Sequence, residues 1–179
     1  NLIELLRSRV GSPVSANSLA GDLQKSPNTI DSWLKLLEDL YVIFRINPYH
    51  NNIARALLKQ PKYYFYDNAM VLGDKGTRLE NLVACALLKE IHRAQDVDGD
   101  DVVLNYIRNK EGQEIDFLVC RKNQPVKLIE VKWKDASLSS NFNKFLANER
   151  ISRLQIVGDL GQNKSFPGGE RIEAAVECL

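Results

Sequence analysis

The strongest constraint on this chain is an acid set inside an apolar strand pattern. Gln113-Glu114-Ile115-Asp116-Phe117-Leu118-Val119 reads as a strand, and Asp116 stands at its centre. Asp is depleted in strands, and a carboxylate among Ile115, Phe117, Leu118 and Val119 costs stability unless a partner offsets it. The next strand pattern, Leu128-Ile129-Glu130-Val131-Lys132-Trp133, holds an acid and a lysine two residues apart. Residues so spaced share one face of a strand, so Glu130 and Lys132 project together while Val131 enters the opposite side. A further acid, Glu80, lies near the start of a strong helical pattern.

If the two strands are neighbours in suitable register, two carboxylates and an ammonium come within a few ångströms. Phosphodiester hydrolysis needs hard oxygen ligands for Mg²⁺, a water made acidic by that metal, and a cation near the developing charge. The residues therefore predict a Mg²⁺ site held by Asp116 and Glu130, helped by the Val131 carbonyl, with Glu80 completing the shell or binding a second ion. Lys132 would orient the nucleophilic water or stabilise the pentacovalent phosphorus. Plainer readings stay open. Glu130 and Lys132 also fit a solvated strand face, and Asp116 fits a buried salt bridge to Lys132. Thr77-Arg78-Leu79-Glu80 fits a capping box, with Thr77 as N-cap.

The 179 residues allow one medium domain or two small ones. Ahead of the acids, the pattern predicts three helices and two strands. The first helix carries Leu2, Ile3, Leu5, Leu6 and Val10 and ends at Gly11-Ser12-Pro13; the second lies around Leu19, Ala20 and Leu23. The third starts with Ser26 as N-cap and Pro27 at the first helical position, and Ile30, Trp33, Leu34, Leu37 and Leu40 form its inward face. Strands at 41–46 and 62–66 follow. Three helices and a strand pair are the layout of a winged helix-turn-helix, with the third helix placed to read DNA.

The predicted boundary lies where Asn, Gly and Asp accumulate between 67 and 76, dividing the chain into 1–68 and 69–179. Beyond it come a helix over 77–92, with Leu79, Leu82, Val83, Ala86, Leu87 and Ile91 inward, and an acidic loop over 96–101. Strands at 102–108, 113–120 and 126–133, a helix over 141–148 and a strand at 153–157 give an α-β-β-β-α-β order.

In this order Glu80, Asp116 and Glu130-x-Lys132 resemble the PD-(D/E)xK restriction-endonuclease-like superfamily. More narrowly, Leu19-Ala20-Gly21-Asp22-Leu23, Lys62-Tyr63-Tyr64-Phe65-Tyr66-Asp67, Leu79-Glu80-Asn81, Glu114-Ile115-Asp116-Phe117 and Ile129-Glu130-Val131-Lys132 resemble the C-terminal region of bacterial and archaeal AAA-type ATPases. Those proteins carry a winged helix followed by a nuclease-like domain of unknown function. The resemblance implies an α+β or α/β fold, a mixed central sheet after the winged helix, and an N-terminal P-loop module outside this chain, where alone ATP would bind. Ile115 stands where the superfamily's motif names a proline.

The formal net charge is +1, so any nucleic-acid contact must come from a local patch. Between Arg45 and Lys62 stand Arg45, His50, Arg55, Lys59 and Lys62 without an acid, and Asn51 and Asn52 add hydrogen-bonding groups suited to phosphate. On the third helix Asn28, Thr29, Ser32 and Lys35 are usable, whereas Glu38 and Asp39 would repel DNA. The expected partner is DNA, with a protein partner as the alternative use of such a winged helix.

Cys85, Cys120 and Cys178 are odd in number and far apart, which argues against a disulfide framework and fits a reducing cytoplasm. No apolar run approaches the roughly 20 residues that cross a bilayer. The chain begins at Asn1 inside a helical pattern, as a part of a longer polypeptide would. Gly158-Asp159-Leu160-Gly161-Gln162-Asn163-Lys164-Ser165 misses a phosphate-binding loop because Asn163 replaces the glycine before the lysine. The two histidines, His50 and His92, are isolated. Two functions compete: a Mg²⁺-dependent endonuclease steered by its winged helix, and a non-catalytic module for docking or DNA sensing.

Overall fold

The structure, a computed structural model, describes residues 1–49, 60–134, 137–145 and 151–178. Three helices open it: α1 (Leu2–Arg7), α2 (Ala16–Leu23) and α3 (Pro27–Asp39). Ser15 and Ser26 cap α2 and α3, each accepting a hydrogen bond from the amide three residues on. Strands β1 (Ile43–Pro48) and β2 (Lys62–Phe65) pair antiparallel. A long helix, α4 (Lys75–Asp98), leads into β3 (Val102–Arg108), β4 (Glu114–Arg121) and β5 (Gln124–Lys132). After a 3₁₀ turn at Ser140–Asn143 come β6 (Ser152–Val157), β7 (Lys164–Ser165), β8 (Glu170–Ala174) and the short α5 (Ala175–Cys178).

All eight described strands join one mixed sheet, in the order β2-β1-β3-β4-β5-β6-β8-β7. The join between its two parts is short. β1 meets β3 in parallel through Asn47 opposite Asn105 and Pro48 opposite Tyr106, and the Asn105 side-chain amide donates to the Asn47 carbonyl at 3.1 Å. Helix α4 lies on one face, over a core that runs from Leu6, Ile30 and Tyr64 to Phe117, Ile129 and Val131. On the other face Phe142, Phe145 and Ile151 cover Ile115, Leu118 and Leu128. The N-terminal helices and the later strands therefore share one continuous core and one sheet.

Several expectations need correction. Trp33 is 39% and Leu40 62% exposed, so the buried stripe of α3 narrows to Ile30 and Leu34, with Leu37 partly covered. Leu82 is exposed as well. Asp96 and Asp98 belong to the last turn of α4 rather than to a loop; the helix ends at Gly99, in the left-handed conformation favoured at that position. The helix expected over 141–148 is a 3₁₀ turn where it is described, and 146–148 lie outside the described residues. The three cysteines are free thiols, and no described helix is long and apolar enough to cross a membrane.

Candidate active site

Asp116 owes its position to an irregularity in the sheet. Asn105 pairs with Leu118 and Ile107 with Ile115, so Asp116 and Phe117 together face the single residue Tyr106. Such a β-bulge re-aims the side chains it carries. Phe117 drops into the core against Tyr64, with ring centroids 5.7 Å apart. The Asp116 carboxylate reaches β5, where its Oδ2 accepts a 2.8 Å hydrogen bond from the Val131 amide. The pairing of Phe117 with Ile129 leaves Asp116 and Glu130 as the next residues along their strands.

Glu130 is only 2% exposed. Its Oε1 accepts from the Lys132 ammonium at 3.0 Å and from the Ser139 hydroxyl at 3.2 Å, whereas Oε2 is buried and has no hydrogen-bond partner among the described residues. Burial raises its pKa, the Asp116 charge adds to the rise, and Lys132 and Ser139 oppose it. Gln155, opposite Glu130 on the parallel strand β6, fixes the loop that supplies Ser139. Its side-chain amide donates to the Ser137 carbonyl and accepts from the Ser139 amide, both at 2.8 Å.

Glu80 sits on the other flank of Asp116. The capping box expected of it is absent: Asp74 caps α4 by accepting from the Thr77 amide at 2.8 Å, which leaves Glu80 free to turn inward. Its Oε1 accepts from the Tyr64 hydroxyl at 2.8 Å and lies 3.6 Å from the Lys62 ammonium. Burial and then the Asp116 charge push its pKa up to about 7, against the pull of Lys62 and Tyr64.

Lys62 was expected on the DNA-facing wing, and the structure buries it. It is 1% exposed, its ammonium bonds Glu114 Oε1, and the ring of Tyr106 lies 5.1 Å away. Burial alone would lower its pKa, but Glu80, Asp116 and Glu114 together hold it above the usual value. The one available sequence signal was spacing: Lys62 and Tyr64 share a strand face, as do Glu114 and Asp116.

The acids thus form two linked groups, Glu80 and Glu114 around Lys62, and Glu130 with Lys132 and Ser139. Asp116 lies within charge range of both. Among the described residues, no group of three or more His, Cys, Asp or Glu side chains is placed to hold a metal ion. The Val131 amide is bound to Asp116, and Val131 lies opposite Ile156 of the parallel strand β6.

The residues expected to contact nucleic acid are less concentrated. Asn28, Ser32 and Lys35 are exposed on α3, and Thr29 is engaged in the Ser26 cap. Lys35 pairs with Asp39 at 3.1 Å and Arg45 with Glu38 at 3.3 Å, which neutralises both cations locally. Asn51, Asn52, Arg55 and Lys59 lie outside the described residues.

A mixed α+β protein with a buried acid–lysine cluster at one sheet bulge is the class these features define. Residues 75–172 match the family described as a domain of unknown function (DUF4143), and residues 1–75 match a second domain of unknown function (DUF8612). The first match covers more than half of the chain, and the chain belongs to the DUF4143 family. An uncharacterized protein of Haemophilus influenzae is 27% identical over 185 residues, which cover 96% of this chain and 43% of that relative. The chain spans less than half the length of the curated relative it matches. No solved structure matches it.

Proposed function

We propose that the chain is the C-terminal part of an AAA-type ATPase, in which a winged helix carries DNA to a Mg²⁺-dependent, restriction-endonuclease-like site. One observation carries the reading: Glu130 Oε2 is a buried carboxylate oxygen without a hydrogen-bond partner among the described residues, beside Asp116 and with Lys132 on its companion oxygen. A desolvated anionic oxygen is costly unless a cation meets it. Mg²⁺ fits that need, because it takes one or two carboxylates and keeps several waters. Among the described residues Asp116 and Glu130 are the pair of carboxylates on neighbouring strands beside Lys132, a two-carboxylate set of the kind Mg²⁺ accepts. Held by Asp116 and Glu130, the metal would supply an acidified water and charge neutralisation at the phosphate. Lys132, fixed against Glu130, holds a cation where negative charge develops. The order of α1 to α3 and the β1–β2 pair supports the winged helix, and α4 over β3 to β6 supports the nuclease-like fold.

A plasmid-relaxation assay with Mg²⁺ or Mn²⁺ tests the proposal. Nicking or cutting is expected, and Asp116→Ala and Lys132→Ala should abolish it. Folded protein that leaves duplex and branched DNA intact at millimolar metal would refute it.

The neutralised Lys35 and Arg45 favour a second reading, a catalytically inactive module for docking protein or DNA. On that reading the same two substitutions leave ligand binding unchanged. DNA affinity would then fall by about one logarithmic unit per tenfold rise in salt for each phosphate-bound cation, and a flat response would point to a protein partner.

A further inference from the structure

We infer that Lys62 is a built-in counter-cation that takes the place of a second metal ion, so that the candidate site holds a single divalent ion and Glu80 is not one of its ligands. This rests on the reading of Asp116 and Glu130 given above and goes beyond it by deciding the ion stoichiometry and Glu80's role.

Glu80 already spends one carboxylate oxygen on the protein's own groups. Tyr64 and Lys62 both sit on Oε1. Gly11 also packs close to this carboxylate: a Cβ added there would lie 2.5 Å from Oε1 and 2.9 Å from Oε2. A Mg²⁺ ion, which gives up its waters reluctantly, would have to compete with the Lys62 ammonium for that oxygen.

The Lys62 ammonium does what such an ion would do. It bonds Glu114, approaches Glu80 and bears on Asp116, joining a helix, a strand and the bulge through one positive charge. An ammonium has three donors and no acceptor, so it suits a pocket walled by carboxylates. The cation comes from β2, within the residues matched by the N-terminal family, while the acids it serves belong to the C-terminal one. The N-terminal unit therefore completes the electrostatics of the acid cluster.

Mn²⁺ binding, read by electron paramagnetic resonance and calorimetry on the whole chain, separates the possibilities without any assay of cleavage. The wild type should bind one ion, and Asp116→Asn should lose it. Glu80→Gln should keep one ion, with affinity changed by less than about tenfold, the low end for a group acting through an outer partner. Lys62→Ala should bind two ions, because Glu80, Glu114 and Asp116 then lack their resident cation. Loss of the ion in Glu80→Gln to the extent seen in Asp116→Asn would overturn the inference, as would folded Lys62→Ala binding one ion. A wild type that binds no Mn²⁺ would instead overturn the reading of Asp116 and Glu130, and the inference with it. Should Lys62→Ala fail to fold, the Glu80→Gln result decides.

Discussion

Replacing Glu80 by Gln should remove a pH dependence that the fold now carries. Gln keeps the shape and the Oε1 acceptor for Tyr64 but cannot ionise. In the native protein the Glu80 carboxyl rises from 4.5 to about 7, through burial first and the Asp116 charge second. Between those values the native state holds a proton that the unfolded chain has released. Native protons exceed unfolded ones, so the free energy of unfolding falls as pH rises through the window. Each pH unit contributes about 1.4 kcal/mol, which sets a ceiling of about 3 kcal/mol. The side chain is 20% accessible, and its hydration brings the expected figure to about 2 kcal/mol. Urea unfolding in EDTA at pH 4.5, 6, 7 and 8 measures it. Wild type and Glu80→Gln should be equally stable near pH 4.5 and diverge in favour of the variant by pH 8. Glu130 adds a slope of the same sign to both proteins, which cancels in the difference. Parallel profiles would refute the reasoning, since Glu80 would then ionise alike in both states.

Asn81→Ala should cost about 2–5 kcal/mol in the same unfolding assay, because the buried Asn81 amide accepts from the Phe65 amide at 2.8 Å and donates to its carbonyl at 3.0 Å. A loss below about 1 kcal/mol would mean that water replaces both bonds. Gly11→Ala should destabilise by roughly 1–3 kcal/mol, since its φ of +73° strains any other residue and the new methyl group meets Glu80. Glu38→Gln releases Arg45 from its ion pair and, if this face meets DNA, should tighten binding and steepen the slope of log affinity against log salt by about one. Unchanged affinity in fluorescence anisotropy would remove α3 and β1 from the DNA interface.

Where local chemistry decides the structure, the sequence was readable. Ser26-Pro27 starts α3 because a cap and a preset φ act within one turn. The Asn109 to Gly112 turn joins β3 to β4 because Asn109 closes it with its own side chain, which accepts from the Gln113 amide at 2.9 Å. Tertiary context hid the rest. Trp33 and Leu40 fit a helical stripe, but α3 meets its neighbours along a narrower line than its apolar residues allow. The tight turn at Lys122 and Asn123, both left-handed, escaped notice because neither residue is glycine. Strands β7 and β8 lie in a stretch rich in glycine and charge, where no alternation stands out.

The acids and their cation differ in the same way. Asp116 stood out because a carboxylate in an apolar strand conflicts with its own neighbours, a conflict visible within seven residues. Lys62 conflicts with nothing nearby: counted along the chain it belongs to a basic stretch without acids, which suggests a surface facing phosphate. Its counter-charges arrive only through folding. The pairing of β1 with β3 docks the β1–β2 pair onto the later sheet, and the edge strand then meets Glu80 on α4 and Glu114 on β4. A division of the chain at 68 and 69 separates Lys62 from every acid it serves. Removing the cation of a buried charge cluster is strongly destabilising, so loss of Lys62 alone would leave Glu114 and Asp116 without the positive charge that folding brings to them. The two family matches therefore describe sequence units, while the candidate site is built from both.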